Sequence, residues 1–215
     1  MAPAVRPARP DDADRLYEIC LRTGDAGADA TGRYADPRLL GDVYLGAYLA
    51  LSRELAFVLA DEDDEPVGYV LGVADTLDFE RRCEQEWWPR LRADTQRWRH
   101  VEPGSPDAEL LALVRHPERT PPSLAATWPA HLHIDLLPQA QGRGDGRRLL
   151  EHLLTALRDR GVPGVMLGVD PENTRARAFY RHLGFTPIPS LPAGSPEAVS
   201  DPDAAAGHLL GLLLR

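Results

Sequence analysis

At 215 residues, 43% of them apolar, the chain is long enough for one domain with a continuous core. A formal charge of −9 argues against nucleic acid as a partner, because phosphate binding needs a net basic face. No apolar stretch approaches the ~20 residues of a membrane-spanning helix and no signal peptide is visible, so no membrane association and a cytoplasmic location are expected.

In chain order, a strand over 5–9 precedes a helix whose Leu16, Ile19 and Cys20 share an apolar face. Residues 24–32 read as a Gly/Asp/Ala loop, and a second helix is predicted over 37–51. Strands over 55–60 and 67–73 flank an acidic turn. From 74 to 130 the character changes. Residues 79–98 read as one helix, and the Pro, Gly and Ser content of 103–129 predicts irregular chain with one short helix. Residues 131–137 alternate polar and apolar as a strand does, and Pro138 ends it.

A glycine loop leads into a helix over 146–160, with Leu149, Leu150, Leu153, Leu154 and Leu157 inward and Gly161 at its end. A strand over 165–169, a helix over 171–183, a strand starting at 185, a loose loop over 189–207 and a last strand over 208–214 complete the chain. This order predicts an α/β fold: one domain over 1–215, a mixed sheet with helices on both faces, and a long insertion over 74–130. Cys20 and Cys83 lack metal-ligand spacing and read as buried thiols, so no metal is expected.

The chemistry is concentrated between His131 and Phe185. Gln141-Gly142-Arg143-Gly144-Asp145-Gly146 joins a strand to a helix, where glycines let backbone amides converge and the helix N-terminus attracts an anion. The loop lacks Gly-Lys-Ser/Thr, and it has no third glycine at the spacing, with a downstream acid, of a dinucleotide fingerprint. Taken alone, so short a loop favours the plainer reading of a tight strand-to-helix turn.

The strand ending Ile134-Asp135-Leu136-Leu137-Pro138, the glycine loop, and then Asn173-x-x-Ala176-x-x-Phe179-Tyr180-x-x-x-Gly184-Phe185 together resemble the GNAT acetyltransferase superfamily. The resemblance implies a GNAT-type sheet, mixed and mostly antiparallel, with the insertion between its third and fourth strands. It implies acetyl-CoA as cosubstrate, its pyrophosphate on the loop formed by Gln141, Gly142, Arg143, Gly144, Asp145, Gly146 and Arg147. The pantetheine arm is expected along Leu136 and Leu137, with Asn173 bonding it from the other side. Tyr180 matches the tyrosine that protonates the departing thiolate; packing beside Phe179 is the plainer reading of it, as helix capping is of Asn173. Asp145 departs from the family pattern and is expected to point outward or to cap the following helix. The segment Leu16 to Asp25, Gly68-Tyr69-Val70 and Trp87-Trp88-Pro89 further resemble the acetyltransferase-like C-terminal domain of O-GlcNAcase and its free-standing bacterial relatives.

Amine acetylation needs a proton acceptor and an oxyanion donor, the latter expected from the backbone amide near Leu136. Asp135 is the first candidate base and His133 the second, although strand alternation directs both away from the thioester unless a bulge intervenes. The four tryptophans, Trp87, Trp88, Trp98 and Trp128, argue that the insertion is folded beside the acceptor cleft; a dimer contact or a lid over a sheet edge is the alternative. The resulting expectation is an N-acetyltransferase acting directly on a small-molecule or peptide amine, as a monomer or homodimer. Its alternative is an acetyl-CoA-binding module without efficient transfer.

Overall fold

A computed structural model of the chain describes residues 3–188 and 209–214. The predicted loop over 189–207 lies outside them. Strand β1 (Ala4–Pro7) leads through helix α1 (Ala13–Arg22) to α2 (Leu39–Tyr44) and α3 (Gly46–Leu51), then to β2 (Ala56–Ala60) and β3 (Pro66–Val73). The insertion carries α4 (Thr76–Arg82), α5 (Trp88–Ala93), α6 (Pro106–Arg115) and α7 (Pro122–Ala125). Strand β4 (Ala130–Leu136), α8 (Asp145–Asp159), β5 (Gly164–Gly168), α9 (Thr174–His182), β6 (Thr186–Pro187) and β7 (Leu209–Leu213) follow.

The strands form one sheet in the order β1-β2-β3-β4-β5-β7-β6, antiparallel throughout except where β4 meets β5. A parallel pair needs a crossover, and the α8 segment supplies it. The sheet separates two apolar cores. On one face, Leu16, Ile19, Tyr69, Leu71, Trp87, Trp98 and Val114 bring α1, β3 and the insertion together. On the other, Leu149, Leu150, Leu153 and Leu157 of α8 pack with Val70, Leu132, Tyr180 and Phe185. Alternation along β3 and β4 therefore decides which core each side chain enters.

Two helical expectations are corrected. The helix predicted over 37–51 breaks at Leu45, whose φ is −134°. There the Asp42 carbonyl, which a continuous helix would commit to the amide four residues on, accepts the Trp87 indole N–H at 2.9 Å. The helix predicted over 79–98 passes through a π turn at Cys83–Trp87 and ends at Ala93. Pro89 has no N–H to continue the α-helical ladder, so it falls in the first turn of a new helix.

The stretch over 103–129 is more regular than predicted. Ser105 caps α6, its hydroxyl accepting the Ala108 amide at 3.2 Å, and Pro106 takes the first helical position. Buried Asp107 then accepts the amides of Ala35 and Asp36, both at 2.9 Å, which ties the insertion to the loop before α2.

Candidate active site

Strands β4 and β5 are paired only at Ala130–Val165 and His131–Met166. Beyond that point β4 continues its ladder with β3 as far as Leu136, while its other edge is left open. Into this split opens a groove of about 770 Å³, floored by Ile134 and Leu136 and closed by the glycine loop and α9. Gly142 and Gly144 hold φ of +81° and +83°, a left-handed conformation that costs a residue with a Cβ about 1–2 kcal/mol. Gly144 directly precedes the fifteen-residue α8, so the helix begins at the groove wall with its first amides unpaired. A Cβ at Gly142 or Gly144 would meet nothing within 4 Å, so the cradle is open to a ligand. Chemically, this is a seat for an anion followed by an extended strand edge for an amide-bearing chain.

Of the residues expected around a cofactor, Leu136, Gln141, Gly142, Gly144, Gly146, Arg147, Asn173 and Tyr180 line the groove, whereas Leu137, Arg143 and Asp145 do not. Leu137 is fully buried on the opposite face, and its amide donates to the Val67 carbonyl at 3.0 Å. Arg143 is exposed outside the groove. Asp145 is 5% exposed; its carboxylate neither points outward nor caps α8, but accepts the Arg148 guanidinium at 2.7 Å. An acid in the first turn of a helix is favoured by the helix dipole, and Arg148 balances its charge away from the loop.

Gln141 turns its amide inward, Nε2 donating to the Leu136 carbonyl at 2.7 Å. Asn173 is the helix cap that its residue type predicts, and it also lines the groove. Its Oδ1 caps α9 by accepting the Ala176 amide at 2.9 Å, and its Nδ2 faces the groove beside Gly27. Tyr180 is 7% exposed, wedged between Phe179 and Phe185 at ring-centroid distances of 5.4 and 5.6 Å. Burial, and then the negative charge of Asp135, hold its hydroxyl well above the ordinary tyrosine range. It therefore carries its proton at neutral pH.

A second cavity, of about 720 Å³, lies on the opposite face, walled by α1 to α3 on one side and by the insertion on the other. The two cavities share Thr23, Ala26, Gly27 and Asp135. The β3–β4 register runs unbroken from Gly68–Leu136 to Val73–His131, so β4 has no bulge. Alternation sends His133 and Asp135 to the second cavity, as expected. What brings Asp135 to the groove as well is the divergence of β5.

His133 Nε2 lies 3.1 Å from Asp135 Oδ2, and the Tyr69 hydroxyl donates to the same oxygen. Burial lowers the His133 pKa, but the Asp135 charge and hydrogen bond, with hydrogen bonding to Cys20, outweigh it and raise it to about 10. His131 goes the other way: burial and then the charge of His133 push it down to about 4. Its ring sits between the Thr76 hydroxyl at 2.8 Å and the Tyr48 hydroxyl at 2.7 Å. Tyr69 and Cys20 were not singled out as site residues from the sequence. Tyr69 sits directly across from Asp135 in the β3–β4 ladder, a pairing that becomes visible only once the register is known.

The model of the acetyltransferase (GNAT) family matches residues 28–185, about three quarters of the chain. The chain belongs to the GNAT acetyltransferase family. Acetyl-CoA is the acetyl donor of this family, and the groove with its glycine loop fits it. The solved structure of SsHAT is 43% identical, superposes with a TM-score of 0.83 and covers 100% of both chains. Protein O-GlcNAcase of Rattus norvegicus is 29% identical over 193 residues, which is 87% of this chain and 20% of that protein. The chain thus spans about a fifth of the length of the curated relatives it matches over most of its own. A mycothiol acetyltransferase of Beutenbergia cavernae is 59% identical over 51 residues, 24% of this chain and 17% of that protein. Among the described residues, no helix is long and apolar enough to cross a membrane.

Proposed function

We propose that this acetyltransferase transfers acetyl directly from acetyl-CoA in the split-strand groove to an amine in the second cavity, without an acetyl-enzyme intermediate. The observation that carries the reading is the junction of the two cavities at Asp135. Donor and acceptor can meet there, with Tyr180 on one side and the His133–Asp135 pair on the other.

The geometry supports the following residue roles. The thioester supplies an activated carbonyl. Successive amides of a strand point to opposite edges; the Leu137 N–H is committed to Val67, so that of Leu136 points into the split, where an oxyanion would form. His133, protonated at neutral pH, has no lone pair to offer, which favours Asp135 as the group that takes the amine proton. Both hydrogen bonds to this carboxylate fall on Oδ2, so Oδ1 is outside them. Tyr180 returns a proton to the departing thiolate. The groove would hold the pyrophosphate at Gly142, Gly144 and the start of α8, and the arm along Leu136 opposite Asn173.

The test is thiol release from acetyl-CoA across a panel of amines and peptides. The reading expects saturable, amine-dependent release with stoichiometric acetyl-amine formed. Tight acetyl-CoA binding with no amine accelerating release above simple hydrolysis would leave a binding module instead.

A further inference from the structure

The acceptor cavity carries enough chemistry to narrow the amine, and this step rests on the transfer reading above. We infer that the acceptor is a small organic cation, a primary amine on an apolar, ring-bearing body, rather than a lysine side chain of a protein.

Charge gives the first part. Beside Asp135, the acidic residues Glu80, Glu118 and Asp170 line the walls; the Glu80 carboxylate accepts the Thr120 amide and that of Asp170 the Glu172 amide, neutral donors that leave their charges uncancelled. Arg119 is the one guanidinium among the lining residues, and it is spent on Glu84 at 2.8 Å and the Glu80 carbonyl at 3.2 Å. His131 stays neutral, and the His133 charge is matched by Asp135. The cavity therefore attracts an ammonium and disfavours an amino acid, whose own carboxylate would face the same walls.

Shape and lining give the second part. Tyr44, Tyr48, Phe79 and Trp88 put four aromatic rings into the cavity. Rings of this kind favour flat apolar bodies and cations over their faces. A lysine brings only a thin four-methylene stem. Such a stem would leave most of about 720 Å³ unfilled and the rings unmatched, whereas a drug-sized amine fills it. The insertion closes the side opposite α1 to α3, through Phe79, Trp88, Leu113 and Leu124. A lysine on a folded protein would have to reach Asp135 past that wall.

The experiment compares kcat/KM, at saturating acetyl-CoA, for phenethylamine, tryptamine and cyclohexylmethylamine with that for a basic peptide containing one lysine and a blocked N-terminus. The inference expects the small amines to exceed the peptide at least about tenfold. It also expects their KM to rise with ionic strength, as screening of a charged cavity requires. Two variants report on the walls without disturbing the core: Glu118 is exposed and Tyr44 is 40% exposed. Glu118→Gln and Tyr44→Leu should each raise KM for the small amines several-fold, with kcat changed less. A peptide turned over as well as or better than every small amine, or variants that leave KM unchanged, would overturn the inference and keep the transferase. Absence of turnover with both classes, despite acetyl-CoA binding, would overturn both.

Discussion

The proposed proton chemistry rests on two side chains, Tyr180 and Asp135, placed on opposite sides of one split. Tyr180 is buried, protonated and within reach of the Asp135 charge, as a donor to a thiolate should be. Tyr180→Phe should lower kcat about 10²-fold or more and leave KM for acetyl-CoA within about twofold, since the hydroxyl acts only as the thiolate forms. Steady-state kinetics on the two proteins check this, and an undiminished kcat would assign the proton to another group. Asp135→Asn makes the complementary statement about His133. With the carboxylate gone, burial dominates and the imidazole pKa should fall from about 10 to below its ordinary value. Titration of the histidine ring protons by NMR reads this directly. Tyr180 and Asp135 were both legible as candidates, because their signatures are short and local. That Tyr69 and Cys20 complete the cluster was not legible, because their meeting with His133 and Asp135 depends on strand register and on how α1 packs.

Among the elements, the loop before α8 shows local sequence setting local structure. Its glycines are required by backbone conformation, with φ of +81° and +83° at Gly142 and Gly144. Gly144→Ala should cost about 1–2 kcal/mol of folding stability and also weaken acetyl-CoA binding, because relieving the strain would turn amides out of the groove. Urea unfolding and calorimetric titration separate the two effects; equal stability and affinity would show that the turn tolerates a side chain. The insertion shows the opposite situation. Its Pro and Gly content concealed α6, although Ser105-Pro106-Asp107 is a readable helix start. Its docking depends on distant partners such as Trp87 on the Asp42 carbonyl. Trp87→Phe leaves that carbonyl without its donor in a buried site and should cost about 1–3 kcal/mol, checked by thermal unfolding. A negligible change would show that the indole hydrogen bond is not what anchors the insertion to α2.

For the molecule as a whole, two neighbouring histidines bend the pH dependence of stability in opposite directions. His131, lowered to about 4 when folded, stays neutral while the unfolded chain takes up a proton below about 6.5. Stability therefore falls as pH drops from about 6.5 toward 4. His133, raised to about 10, contributes fully below about 6.5, and its contribution is lost as pH rises toward 10. A melting-temperature profile should peak near pH 6.5, and His133→Gln should flatten its alkaline limb while making the acid limb shallower, since burial still lowers His131 but the charge of His133 no longer adds to it. An alkaline limb unchanged by that substitution would assign it to other groups.

The same scale separates what was legible from what was not. The sequence by itself determined the order of elements, the glycine loop and the Asn173-to-Phe185 signature, since each depends on residues within about a dozen positions of one another. It also showed, through Ile134, Asp135 and Leu136, which β4 residues alternate. Only the tertiary structure decided that alternation does not exclude Asp135 from the donor side: β5 leaves β4 after two paired residues, and the strand edge opens to both cavities. The second cavity was hidden for the same reason. Its walls come from α1 to α3, the insertion and the sheet, segments far apart in sequence that only the burial of their apolar faces brings together.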